Sequence, residues 1–342
     1  MSDILNARKE RHIKFYNQDP DVKQLYHIHI LTDGNENPRP QLTRSNRQGR
    51  IDFAAWMYET GMKRMEWLHD DYIPHATCIT GTEFFAEAIG SNVEIPKGSE
   101  PYAQPFITHA SEVSKIKVPR LEDSTLMWLL DMADDLKAKC GSGVVMGLPD
   151  VQTPMDICAL IWDKTHLFMA MLDEPNAVLE LAHKISVLWY EFFDEWFRRY
   201  GKEFVSHCPD YYMPSGITYS EDEVGAVSAE MFEELFLPEL IDISNHYGNV
   251  GMHCCANSRH QWDNFLKIPN LKLLNLVQPN NVMLESSKFF AGKIPMFPSW
   301  EGKGEYETWF SQMDSGAHLI LDFYVKDLED AKALNEKMLN RR

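Results

Sequence analysis

The stretch Asn249–Leu276, NVGMHCCANSRHQWDNFLKIPNLKLLNL, carries the reading on which the fold turns. Asn249–Cys254 is a short apolar run that reads as a strand, Arg259–Lys267 as a helix and Leu271–Leu276 as a second apolar strand. A strand that is apolar on both faces, followed by a helix and another such strand, is the signature of a parallel sheet covered by helices.

The same alternation extends in both directions. Upstream, Ile51–Asp70 places Ala54, Met57, Tyr58, Met62, Met65 and Leu68 three or four residues apart, a helical stripe. A strand is expected near His75–Ile79, a helix over Leu121–Lys139 and a strand over Gly143–Met146. Asp173-Glu174-Pro175 starts a long helix that Gly201 ends, and Phe204–His207 is extended. Ser228 caps a further helix in which Pro238 introduces a kink. Downstream, helices are expected over Val282–Ala291, Tyr306–Met313 and Leu328–Leu339, with extended runs at Ile294–Phe297 and Leu319–Phe323. Roughly eight strand–helix units over residues 51–342 describe an α/β (β/α)8 barrel as a single catalytic domain. Residues 1–50 are assigned to an N-terminal helical and loop extension packed on it, in which Asp33–Arg50 is a polar surface loop.

Composition sets limits on function. The chain of 342 residues has a net charge of −18, from 51 acidic and 33 basic side chains. That balance disfavours nucleic acids and anionic membranes, which need a positive field. No apolar run is long enough to span a bilayer, and Met1-Ser2-Asp3-Ile4 lacks the plan of a signal peptide. The six cysteines, at 78, 140, 158, 208, 254 and 255, form no CxxC pair, so reduced thiols and a cytoplasmic location are expected. Neither G-x-G-x-x-G nor G-x-x-x-x-G-K-[ST] occurs where a nucleotide site would need it.

In a barrel of this kind chemistry gathers where the strands end. His253 and Cys255 alternate around Cys254 after a buried strand and share a side, so one zinc ion could take both. A buried histidine beside two small core cysteines would leave the same sequence, since two ligands do not make a site. Tyr219-Ser220-Glu221-Asp222-Glu223 follows the Phe204 strand, and its carboxylates supply a candidate ligand or general acid–base, chiefly Glu221 and Asp222. It reads equally as a solvated acidic loop before a helix. His207 ends another strand and is a third candidate catalytic group. Candidate substrate contacts are Thr82 and Glu83 at a helix start, Met146, Gln152 in the loop after its strand, Asn257 and Trp300. Met146, Trp162, Met252, Met296, Phe297 and Trp300 together suggest an apolar pocket wall, though each alone is ordinary core.

Several segments, in order, resemble the uroporphyrinogen decarboxylase superfamily and specifically its cobalamin-dependent methyltransferase branch. They are Thr82–Gly90, the Asp173-Glu174-Pro175 helix start, Glu221-Asp222 with Gly225, Ser228, Phe232 and Pro238, and His253-Cys254-Cys255 as a His-x-Cys motif. The resemblance spans roughly Phe53 to the C-terminus and implies the same barrel. It also implies transfer of a methyl group between a small donor and the cobalamin of a separate corrinoid protein, with zinc as Lewis acid held by His253 and Cys255. An aryl methyl ether is the donor class that the apolar residues favour. Three departures stand out. Gly81 occupies the place of the decarboxylases' aspartate, Leu160 falls near their pocket tyrosine, and Arg47-Gln48-Gly49-Arg50 only mimics their arginine motif. The branch's late zinc cysteine is also missing, the last strand reading Leu321-Asp322-Phe323-Tyr324, so Asp222, Glu221 or His207 would have to complete a metal site. A lyase acting on a carboxylated small molecule and a non-catalytic ligand-binding barrel remain as alternatives.

Overall fold

The computed structural model describes residues 2–32, 37–300, 302–303 and 305–339. Eight short parallel strands line the interior: β1 Gln24–Ile30, β2 His75–Thr77, β3 Val145–Gly147, β4 Ile217–Ser220, β5 Val250–Cys254, β6 Leu271–Leu276, β7 Met296–Pro298 and β8 Leu319–Val325. Six of them pair in the order β1-β8-β7-β6-β5-β4. β2 and β3 form a second sheet with a hairpin, Phe204–Val205 against Tyr212–Met213, which fills the gap between β3 and β4. A bridge between Gln152 and Ser220 joins β3's continuation to β4. Between β1 and β2 side chains replace the ladder: Asp70 accepts from the Ile28 N–H and Asp71 from the Tyr26 N–H, each at 3.1 Å. The sheet therefore closes, and the fold is the (β/α)8 barrel.

The expected boundary at residue 50 does not separate the barrel from an extension. Gln24–Ile30 pairs with Leu319–Val325 over seven registered positions and closes the barrel. Its Tyr26, His27 and Ile28 are buried, so the strand belongs to the core. Helix Ser2–Tyr16 precedes it and buries Arg8, His12, Phe15 and Tyr16. Of the expected loop Asp33–Arg50, residues 33–36 lie outside the described residues, and helix has begun by Arg47. That helix ends at Arg64, six residues short of the expected Asp70, so Asp70 and Asp71 stand in the segment that receives β1. Buried Arg50 ties its first turn to the Leu42 and Ile79 carbonyls, tertiary bonds that periodicity does not show.

Local chemistry accounts for the other elements. Thr153 caps helix Pro154–Ile161 by accepting from the Asp156 N–H at 3.1 Å, with proline at the first position where no donor is needed. The long helix Pro175–Tyr200 buries Leu181, Ile185, Leu188, Trp189, Phe192 and Trp196 along one stripe and ends at Gly201 with φ +95°. Ser228 accepts from the Met231 N–H, and a π-type turn over Phe232–Phe236 absorbs the misfit ahead of Pro238. Among the described residues no helix is long and apolar enough to cross a membrane.

Candidate active site

Register builds the site. Ser220 at the end of β4 stands opposite His253 in β5, and the Glu221 N–H donates to the His253 carbonyl at 2.9 Å. The chain leaving β4 thus runs beside the chain leaving β5. Asp222 reaches across, and its Oδ1 accepts from the Cys255 N–H at 2.6 Å. One ligand atom from each of Asp222, His253 and Cys255 lies within 4.8 Å of the other two. Asp222 and His253 are half-buried and Cys255 is exposed.

The histidine is oriented from behind. Asn275 donates its Nδ2 to the Phe297 carbonyl at 2.6 Å and to Ser299 Oγ at 3.2 Å, which turns its Oδ1 toward His253 Nδ1. An acceptor there fixes the proton on Nδ1 and leaves the Nε2 lone pair for a ligand. Burial, then the Asp222 charge and hydrogen bond, push the Cys255 thiol up to about 12. It is protonated at neutral pH without a metal, and a bound cation would displace that proton.

Asp222 is itself held by its neighbours. Asp156 accepts from the Asp222 N–H at 2.8 Å and the Glu223 N–H at 3.1 Å. Beneath it Glu221 is fully buried; Thr153 Oγ1 donates to its Oε2 at 2.5 Å, and the Asp156 carboxyl lies beside it. Burial and then the Asp156 charge raise Glu221 well above the carboxylate range. Burial is also the main cause that lifts Asp156 to about 7 and Glu239 to about 8. Two carboxyls this close in a dry site share a proton rather than both ionising.

Of the three groups expected to complete a metal site, only Asp222 joins His253 and Cys255. Glu221 points inward to Thr153. His207 pairs with Asp150 at 3.5 Å; burial opposes its charging, but the Asp150 and Asp210 carboxylates together outweigh burial and raise its pKa. Thr82 immediately precedes helix Glu83–Ile89 and makes no side-chain cap bond. Glu83 is buried, is pushed up to about 7 chiefly by burial, and lines a cavity of about 480 Å³ with Arg50, Thr80 and Trp128. Gln152 is buried and bonds Asp150, Asn257 is exposed, and Trp300 is half-buried against Tyr306. Met146, Trp162, Met252 and Met296 lie in the core. Met252 alternates with His253, so it faces the opposite side of β5 from the site. The sequence reading missed Asn275 and Asp156, whose signals are a lone amide in an apolar strand and an acid three residues after a capping threonine.

Comparison with known proteins places the chain. The profile of the family described as uroporphyrinogen decarboxylase (URO-D) matches residues 57–283, that is 227 of 342. The chain belongs to the uroporphyrinogen decarboxylase family. A search of curated protein sequences gave no match. Among solved structures, a methyltransferase from Methanosarcina mazei superposes with a TM-score of 0.68 over 97% of this chain and 99% of that one, at 11% identity. Such identity speaks to the fold, which this family member shares. The family match covers β2 to β6 and includes Asp222, His253 and Cys255.

Proposed function

We propose that this protein is a methyltransferase that moves a methyl group between a small methyl donor, an aryl methyl ether, and the cobalamin of a separate corrinoid protein. The observation that carries the reading is the Asp222–His253–Cys255 cluster, where oxygen, nitrogen and sulfur donors converge after β4 and β5. This mixed set suits zinc, and His253 and Cys255 would hold it with Asp222 as third ligand. Bound there, zinc would supply Lewis-acid polarisation of the heteroatom that bears the methyl group. In the direction of demethylation the carbon–oxygen bond breaks, the methyl carbon bonds to cobalt using the electron pair of cob(I)alamin, and the departing oxygen takes up a proton. Asn275 keeps His253 Nε2 directed at the site, Asp156 fixes the Asp222 backbone, and the Asp156–Glu221 pair holds a proton behind it. A decarboxylase would instead need cations facing its substrate. Here the charged neighbours are carboxylates, and Lys164 is engaged by Glu223 at 2.6 Å.

The test mixes the purified protein with cob(I)alamin and a panel of methyl ethers and follows the absorption change to methylcobalamin. Turnover should appear with at least one aryl methyl ether and vanish in His253→Ala with the fold intact. No change across the panel would favour a lyase or a binding barrel, and an unaffected His253→Ala rate would remove the site assignment.

A further inference from the structure

A second set of ligating side chains lies on the barrel wall formed by β1 and β8, with β6 and β7 between it and β5. We propose that His27, His29 and Asp322 form a second binding site for a divalent metal ion of the zinc class. Alternation in β1 places His27 and His29 on one face. The register of β1 on β8 sets Asp322 directly opposite His27. Asp322 Oδ1 lies 3.2 Å from His27 Nδ1 and 3.1 Å from His29 Nε2, and one ligand atom from each residue lies within 4.8 Å of the other two. Ligands held about 2.0–2.2 Å from one zinc-like ion sit roughly 3.0–3.5 Å apart, so the two short spacings fit a shared ion.

Two further observations favour a cation there. His27 is 1% exposed, yet neither of its ring nitrogens makes a hydrogen bond, the Asp322 oxygen being close but off line. A buried imidazole with both nitrogens unbonded is costly unless something absent binds one of them. The surroundings are also rich in carboxylates. Asp322, Asp210 and Asp70 all act on His29. Arg8 answers Asp70 at 2.9 Å, Arg64 lines the same cavity, and Asp210 lies 3.8 Å from His75. A proton shared by His29 and Asp322 would satisfy that pair and leave His27 as it is; a metal ion satisfies all three. The rings are already held in place, His29 stacked on Tyr324 at 4.9 Å and His27 edge-on to Tyr72 at 5.7 Å and to Phe297 at 6.0 Å. His29 also lines a cavity of about 250 Å³ with Tyr72, Asp70, Asp210, Arg8 and Arg64, from which an ion could enter.

The experiment measures metal stoichiometry on the whole protein, loaded with Zn²⁺ and separately with Co²⁺ and freed of excess. Wild type should hold two ions per chain. His29→Gln and Asp322→Asn, both near-isosteric, should each hold one while keeping the wild-type circular dichroism. The Co²⁺ spectrum distinguishes the two sites, because only the Cys255 site gives a thiolate-to-cobalt charge-transfer band. That band should persist in His29→Gln and Asp322→Asn and disappear in Cys255→Ser, which should still bind one ion. A count in His29→Gln and Asp322→Asn no lower than that of wild type, or no ion held by Cys255→Ser, overturns the proposal. Loss of the thiolate band from wild type alone would count against the methyltransferase site and leave the second site to its own count.

Discussion

Asn275 illustrates how much of a site can rest on a residue that touches no substrate. Its amide is 1% exposed and spends both functions, donating to β7 and the loop after it while accepting from His253. Asn275→Ala removes the acceptor that fixes the proton on Nδ1, so His253 is free to rotate and to change tautomer. Outer-shell partners of this kind are generally worth about 10–100-fold in metal affinity. Zinc affinity measured by chelator competition should therefore fall by about that factor while the chain still folds; an unchanged affinity would show that His253 is not held through Nδ1. The sequence displayed His253 and Cys255 because their spacing of two is local. Asn275 lies 22 positions further on, inside the apolar run Leu-Lys-Leu-Leu-Asn-Leu, and only the β5–β6 register brings it to the histidine. His27 and His29 show the same spacing of two in an apolar strand, a signal equally legible, but they meet Asp322 only once that strand is recognised as part of the barrel.

At the scale of elements, the site depends on how closely β4 enters beside β5. Gly216, just before β4, has φ +110°, and a Cβ added there would lie 2.1 Å from the Asn249 carbonyl oxygen. That oxygen accepts from the Ile217 N–H at 2.9 Å, so the close approach starts the ladder that later aligns Ser220 with His253. Gly216→Ala imposes a left-handed conformation on a residue with a side chain and drives a methyl group into backbone that cannot yield. The loss should be about 2–4 kcal/mol in denaturant unfolding. A loss under about 0.5 kcal/mol, the range of ordinary surface changes, would show that the strands enter with more room than this. The longer helices were legible because apolar stripes, Ser228, Pro175 and Gly201 are local signals. β1 was not, since it lies among polar segments and earns its place only by pairing with the last strand. Helices Pro154–Ile161 and Lys164–Asp173 were also missed. The first is buried at seven of its eight positions and so shows no polar face from which a period could be read.

For the whole molecule, the barrel's buried acids set how stability varies with pH. Glu239 stays protonated to about 8 in the folded chain, mainly through burial, while its Oε1 accepts from the Met155 N–H at 3.1 Å. In the unfolded chain the same carboxyl loses its proton near 4.5. Between those values the folded state binds the extra proton, so this group's contribution to stability falls as pH rises and is exhausted above about 8. Asp156 and Glu83, each at about 7, act in the same direction over a shorter span. His12 acts in the opposite sense. Burial lowers it to about 4, so its neutral form favours folding above 6.5, and that contribution is lost as pH drops toward 4. Stability should accordingly peak between these limits, in mildly acidic solution, even though a net charge of −18 alone would place the least self-repulsion lower still. Glu239→Gln isolates one contribution, because glutamine keeps the acceptor for Met155 and cannot ionise. Its stability should match wild type at pH 4.5 and exceed it progressively above, reaching on the order of 2–4 kcal/mol by pH 8. Urea unfolding of both proteins from pH 4.5 to 8.5 measures that gap, and parallel curves would mean that Glu239 reaches solvent and ionises like any surface acid.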